Sequence, residues 1–156
     1  MITFQDLHQN PLPQKFLESR YAEGLDEKSD KFSLVMPGDF LEQLFIPGDF
    51  MAINSNVIFY NEEECDRIKL TEEERYALLA HELGHYYDST SRELGQQLRE
   101  NNADDFAVRL GLGDYLVSGL DKIKLSVDER VRELIQERIN RLHESGFDGS
   151  EAGAEE

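Results

Sequence analysis

At Thr71 the spacing of apolar residues changes from strand-like to helical, and that change limits what the chain can fold into. Downstream, Thr71/Glu74, Thr90/Glu93 and Ser126/Glu129 each match the pattern in which a helix-capping hydroxyl and a reaching-back carboxylate satisfy each other's backbone N–H groups. The first pair predicts a helix to Tyr87 and the second a helix through Leu110. After Gly111 and Gly113, a shorter helix is expected over Asp114 to Lys122. The third opens Val127 to His143, with one apolar stripe of Val131, Leu134, Ile135, Ile139 and Leu142.

Upstream, Asn10-Pro11-Leu12-Pro13 reads as a turn from which Pro13 opens a short helix to Tyr21 or Ala22. Residues 26–31 form a charged linker. Phe32 to Met36 has strand character and stops at Pro37-Gly38; Pro-Gly-Asp-Phe recurs at 37–40 and 47–50, as two similar turns would require. Phe50 to Ile53 and Val57 to Asn61 flank Asn54-Ser55-Asn56 as a hairpin. Residues 1–145 are therefore expected to form one α+β domain: a small antiparallel sheet of about three strands, then about four helices. Residues 146–156, acidic and nearly without large apolar side chains, read as a disordered tail.

Composition narrows the function classes. The 156 residues carry 33 acidic and 16 basic side chains, a formal charge of −17, which argues against the basic footprint that nucleic acid requires. The single cysteine, Cys65, excludes a disulfide framework and any multi-cysteine zinc site within the chain. No apolar run approaches membrane-spanning length, and Met1 to Asp6 lacks a basic region followed by an apolar one. A cytoplasmic protein without membrane contact is expected.

The chemistry concentrates at His81-Glu82-Leu83-Gly84-His85. Histidines at i and i+4 stand one helical turn apart and about 40° around the axis, so both rings can reach one ion. Glu82, rotated about 100° from His81, can face the ion's open position without ligating. Tyr76, Leu79, Leu83 and Tyr86 fall on the opposite side, and Ala77, Ala80 and Gly84 beside the histidines would let another backbone approach. A catalytic zinc site needs a third protein ligand. His8 and His143 are distant in sequence, whereas Glu100, Ala103, Asp104 and Ala107 share one face of the next helix. Glu100 could reach the ion, and Asp104 could hold a ligand imidazole in one tautomer. Only 14 residues separate His85 from Glu100. With a tight turn at 88–90 the two would be offset by roughly 10 Å, so the second helix must cross at an angle or start near Gly95.

His-Glu-Leu-Gly-His-Tyr followed by Glu-x-x-Ala-x-x-Phe-Ala-x-x-Leu, here Glu100, Ala103, Phe106, Ala107 and Leu110, resembles the ImmA/IrrE family of zinc metallopeptidases. The likeness spans roughly residues 30 to 112 and includes the order of strand, turn, strand and helix from Ala52. It implies a zincin-like metallopeptidase fold, Zn2+ held by His81, His85 and Glu100, and Glu82 as general base. It also implies a cytoplasmic endopeptidase whose protein substrate is typically a helix-turn-helix repressor of phage, mobile-element or stress regulation. Val57, Phe59 and Tyr60, read as an edge strand, could hold such a substrate by strand addition. Tyr60, Tyr87 and His143 are the side chains considered for stabilising an oxyanion. The competing readings are a non-catalytic zinc protein that sequesters a basic regulator, and an acidic interaction module without metal. An intact Glu82 favours the enzyme, since a purely structural site needs no general base.

Overall fold

The computed structural model describes residues 3–4, 11–25, 31–32, 34–37, 50–54, 57–88 and 95–145. Its elements are β1 (Thr3–Phe4), α1 (Leu12–Glu18), a 3-10 turn (Arg20–Gly24), β2 (Lys31–Phe32), β3 (Leu34–Pro37), β4 (Met51–Asn54) and β5 (Val57–Tyr60). Then come α2 (Glu62–Arg67), α3 (Glu72–Tyr87), α4 (Gln96–Arg109), α5 (Gly113–Lys124) and α6 (Glu129–Glu144).

Helices dominate, and the expectation of a small antiparallel sheet followed by about four helices is corrected. Helices flank the strands on both sides in sequence, and each strand is only two to four residues long. The strands are not all antiparallel: β4 pairs antiparallel with β5, but β3 runs parallel to β5, with Leu34 opposite Val57 and Pro37 opposite Tyr60. β1 and β2 make a separate parallel pair. Alternation of apolar residues marks a strand but not its direction, which depends on the route of the connecting chain. The order β3-β5-β4 makes β5 the middle strand. Val57, Phe59 and Tyr60 therefore do not form a substrate-binding edge; both flanks of their strand are already paired.

α3 is the hub, against which α4, α5, α1 and β4 all pack. Its start follows the sequence signal closely. Thr71 Oγ1 accepts from the Glu74 N–H at 3.2 Å, and Glu74 Oε1 accepts from the Thr71 N–H at 2.8 Å. Tyr76, Ala77, Leu79, Ala80 and Leu83 are buried in the core, while Tyr86 emerges at the helix end. α4 ends where Gly111, at φ +89°, turns the chain so that the Leu112 N–H reaches the Ala107 carbonyl at 3.0 Å.

Other helix boundaries differ from expectation. α4 begins at Gln96 with Gly95 as its cap, so Thr90 and Glu93 do not open it and lie outside the described residues. α6 is capped by Asp128, whose Oδ1 accepts from the Val131 N–H at 3.0 Å, while Ser126 bonds back to the Ile123 carbonyl. Of the expected stripe on α6, Ile135, Ile139 and Leu142 are buried but Val131 and Leu134 are exposed. The two-turn α2 has no counterpart in the sequence reading, although Asn61 caps it by accepting from the Glu64 N–H. The second Pro-Gly turn before Phe50, most of the charged linker and the acidic tail lie outside the described residues. Among the described residues, no helix is long and apolar enough to cross a membrane.

Candidate metal centre

His81 and His85 project from consecutive turns of α3, and Glu100 meets them from the second turn of α4. The close crossing that permits this rests on small residues. A Cβ built on Gly84 would lie 3.0 Å from the Ala103 Cα, 3.1 Å from its carbonyl oxygen and 2.9 Å from the Phe106 Cβ. Ala103 and Ala107 are fully buried beneath it. The late start of α4 resolves the offset. Glu100 sits in the fifth position of α4 and His85 in the third from the end of α3, which reduces the displacement along the axes to about 3–5 Å.

The atoms that could ligate a metal converge. His81 Nε2 and His85 Nε2 are 3.1 Å apart, Glu100 Oε1 is 3.4 Å from the former, and Oε2 is 2.8 Å from the latter. Ligands about 2.0–2.1 Å from a tetrahedral zinc stand about 3.3–3.4 Å from one another, so the three spacings are close to the edges of such a site. The donor set of two imidazoles and one carboxylate suits zinc, and three protein ligands leave a fourth position open. His81 is buried, whereas His85 and Glu100 are each a little over one-fifth exposed, so the cluster opens toward solvent on one side.

Behind His81, its Nδ1 lies 2.7 Å from Asp104 Oδ1, and Asp104 is fully buried. With Nδ1–H donating to Asp104, the Nε2 lone pair points at the other two ligands. Arg138 on α6 completes this layer. Its Nε donates to Asp104 Oδ2 at 3.0 Å and its Nη2 to Oδ1 at 2.7 Å, while Nη1 stands 3.8 Å from Glu100 Oε1.

Charge is unevenly distributed across the cluster: two carboxyls are held ionised and one glutamate is not eased toward ionisation. Burial pushes the Glu100 carboxyl up, but hydrogen bonds from both histidines outweigh it and hold the group well below the usual carboxylate range. Asp104 behaves alike: burial raises it, His81 and Arg138 lower it, and the result is about 2. Burial would lower His81, yet Asp104 and Glu100 lift it to about 9. Glu82 goes the other way. Burial raises its pKa, against the opposing pull of His81 and His85, so it is a stronger base than an exposed glutamate.

No family model matches the chain, and neither the curated proteins nor the solved structures yield a match, so the expected zincin-like fold has no structural counterpart to rest on.

The other sequence candidates are placed elsewhere. Tyr60 is buried in β5, its hydroxyl accepting from Arg75 Nη1 at 2.8 Å. Burial there raises it to about 12 despite that bond. Tyr87 stacks on Phe106 with ring centroids 6.0 Å apart. His143 is exposed near the end of α6, and His8 lies outside the described residues. Arg138 escaped sequence reasoning, because one arginine on a helix rich in charge carries no signal of which carboxylate it will meet.

Proposed function

We propose that the chain is a zinc-dependent metalloendopeptidase. The observation that carries this reading is the convergence of His81, His85 and Glu100, whose ligand atoms all lie within 4.8 Å of one another, beside a glutamate of raised pKa. Bound there, zinc would supply Lewis acidity, activating a water and polarising the scissile carbonyl. The rest falls to the chain. Glu82 takes a proton from the attacking water on its carboxylate and delivers it to the nitrogen of the leaving amine as the C–N bond breaks. Asp104 keeps the proton of His81 on Nδ1, so that Nε2 remains a ligand. β4 is the strand available for substrate. Of the two outer strands in the order β3-β5-β4, it is the one that packs on α3, the helix carrying both histidines, and so is the one proposed to take a substrate by strand addition.

The likeness to the ImmA/IrrE family extends the proposal to a cytoplasmic setting and to a repressor or other regulatory protein as substrate. A charge of −17 would steer a basic substrate toward the protein without choosing the bond.

Glu82→Gln separates the enzyme from a sequestering protein. It keeps the size and one acceptor oxygen of Glu82 but cannot take up a proton at neutral pH. The variant should hold zinc and bind a candidate repressor as the parent does, yet cleave it slower by at least ~10²–10⁴. Binding measured by titration calorimetry and product by mass spectrometry decide the matter. A parent that binds its partner without producing fragments would transfer the role to sequestration.

A further inference from the structure

Arg138 is separated from Asp104 by 34 positions and from His81 by 57, yet its guanidinium touches the layer immediately behind the metal ligands. It is only 14% exposed, and it grips both oxygens of a carboxylate that is not exposed at all. We infer that Arg138 is a positioning residue of the metal centre: its guanidinium fork fixes the plane of the Asp104 carboxylate, and that plane fixes the ring orientation and tautomer of His81. The inference rests on the metal-site reading and goes beyond it by giving the C-terminal helix a part in the site.

A carboxylate bonded to one imidazole alone can turn about its Cβ–Cγ bond and offer either oxygen at a range of angles. Two parallel N–H donors remove that freedom. Here Nε and Nη2 take Oδ2 and Oδ1 at 3.0 and 2.7 Å, and Oδ1 is left aimed at His81 Nδ1 at 2.7 Å. The guanidinium also stands between two carboxylates that share a face of α4 one turn apart. It pairs with Asp104 and lies 3.8 Å from Glu100, so both can stay ionised close together. A lysine carries the charge but not the fork.

Docking of α6 does not explain this arrangement by itself. α6 packs mainly on α5, burying Ile135, Ile139 and Leu142. Arg141 separately ties it to α4 through the Asn101 carbonyl at 3.0 Å and Asp105 Oδ1 at 2.8 Å. Arg141 bonds to the Asn101 carbonyl and to Asp105 rather than to Asp104 or Glu100, so it is the natural control.

The test measures zinc affinity by chelator competition, and the visible spectrum of the Co2+-substituted protein, for the full chain and its variants. Arg138→Met should weaken zinc binding about 10–100-fold and shift the Co2+ bands, as loss of an outer-layer partner does at metal sites. Arg141→Met should lower the melting temperature while leaving affinity and spectrum at parent values. In an Asp104→Asn background, Arg138→Met should cost less than about threefold further, because the residue acts through that carboxylate. Should Arg138→Met fail to fold, Arg138→Lys answers the same question: weakened zinc and shifted bands support the inference, and parent values overturn it. An Arg138→Met protein with parent affinity and spectrum overturns it, as does an Arg141→Met protein that loses zinc equally. A parent that takes up no zinc defeats the metal reading itself, whereas a zinc-binding parent with an indifferent Arg138 variant defeats this inference alone.

Discussion

The sharpest single test of the ligand set is the pair Glu100 and Asp105, two carboxylates five residues apart on α4 that differ chiefly in where the helix points them. Glu100 lies 2.8 Å from His85, and Asp105 pairs with Arg141 with its side chain 58% exposed. Glu100→Ala should reduce zinc affinity by more than about 100-fold, beyond the range for outer-layer partners, whereas Asp105→Ala should leave it unchanged. Chelator competition measures both. At this scale much of the site is readable from the sequence, because His81, Glu82 and His85 lie within five residues of one helix, where helix geometry alone fixes their relation. Glu100 and Asp104 are readable through their alanine neighbours, which mark a face that lets another backbone approach. Arg138 is not, since its partner is set by how α6 lies across the bundle. Nor could Val57, Phe59 and Tyr60 be sorted into edge or centre from their own residues, because edge status belongs to the order of the strands.

Among the elements, the α3–α4 crossing has the least tolerance. Gly84→Ala adds a methyl group where Ala103 backbone atoms already stand at 3.0 and 3.1 Å, so α4 must move outward. Overpacking of this kind costs about 1–3 kcal/mol, partly offset by the ~1 kcal/mol that alanine gains over glycine within a helix. The expected result is a lower urea midpoint together with weaker zinc binding, since Glu100 is one turn before Ala103. A variant with unchanged midpoint and unchanged affinity would mean that the crossing is not held where the structure has it. Helix existence follows from the sequence more faithfully than helix origin. The Thr71 cap is where its motif puts it, but α4 starts after Gly95, which brings no capping side chain, and Asp128 caps α6 in place of Ser126. Motifs of that kind compete, and the choice between neighbouring caps is made by packing of the helix behind them. The strands suffered most, because β3 joins β5 from the side the hairpin does not determine.

For the molecule as a whole, acid stability should depend in part on Glu74, a buried carboxylate that links two helices, alongside the depressed carboxyls of Asp104 and Glu100. Glu74 caps α3 and also accepts from Lys122 of α5 at 2.6 Å. Burial raises its pKa, but the bonds from Lys122, Ser118 and Thr71 outweigh it, and the folded value lies below the ordinary 4.5. A depressed carboxylate contributes stability that is fully present above its unfolded pKa and disappears as pH falls through the folded value. The parent should therefore lose stability progressively below about pH 5, and Glu74→Gln, which keeps an acceptor for the cap, should lose less between pH 5 and 3. Denaturant midpoints across that range measure it; parallel pH curves would remove Glu74 from the account.

The layer behind His81 has a consequence in time. Its members are made in the order His81, Asp104, Arg138, and α6, which carries the last, is the final helix of the described chain. A growing chain therefore has both histidines and Glu100 before it has the arginine that steadies Asp104. During synthesis the three side chains can emerge together, but they acquire their final stiffness only when α6 has followed them and docked.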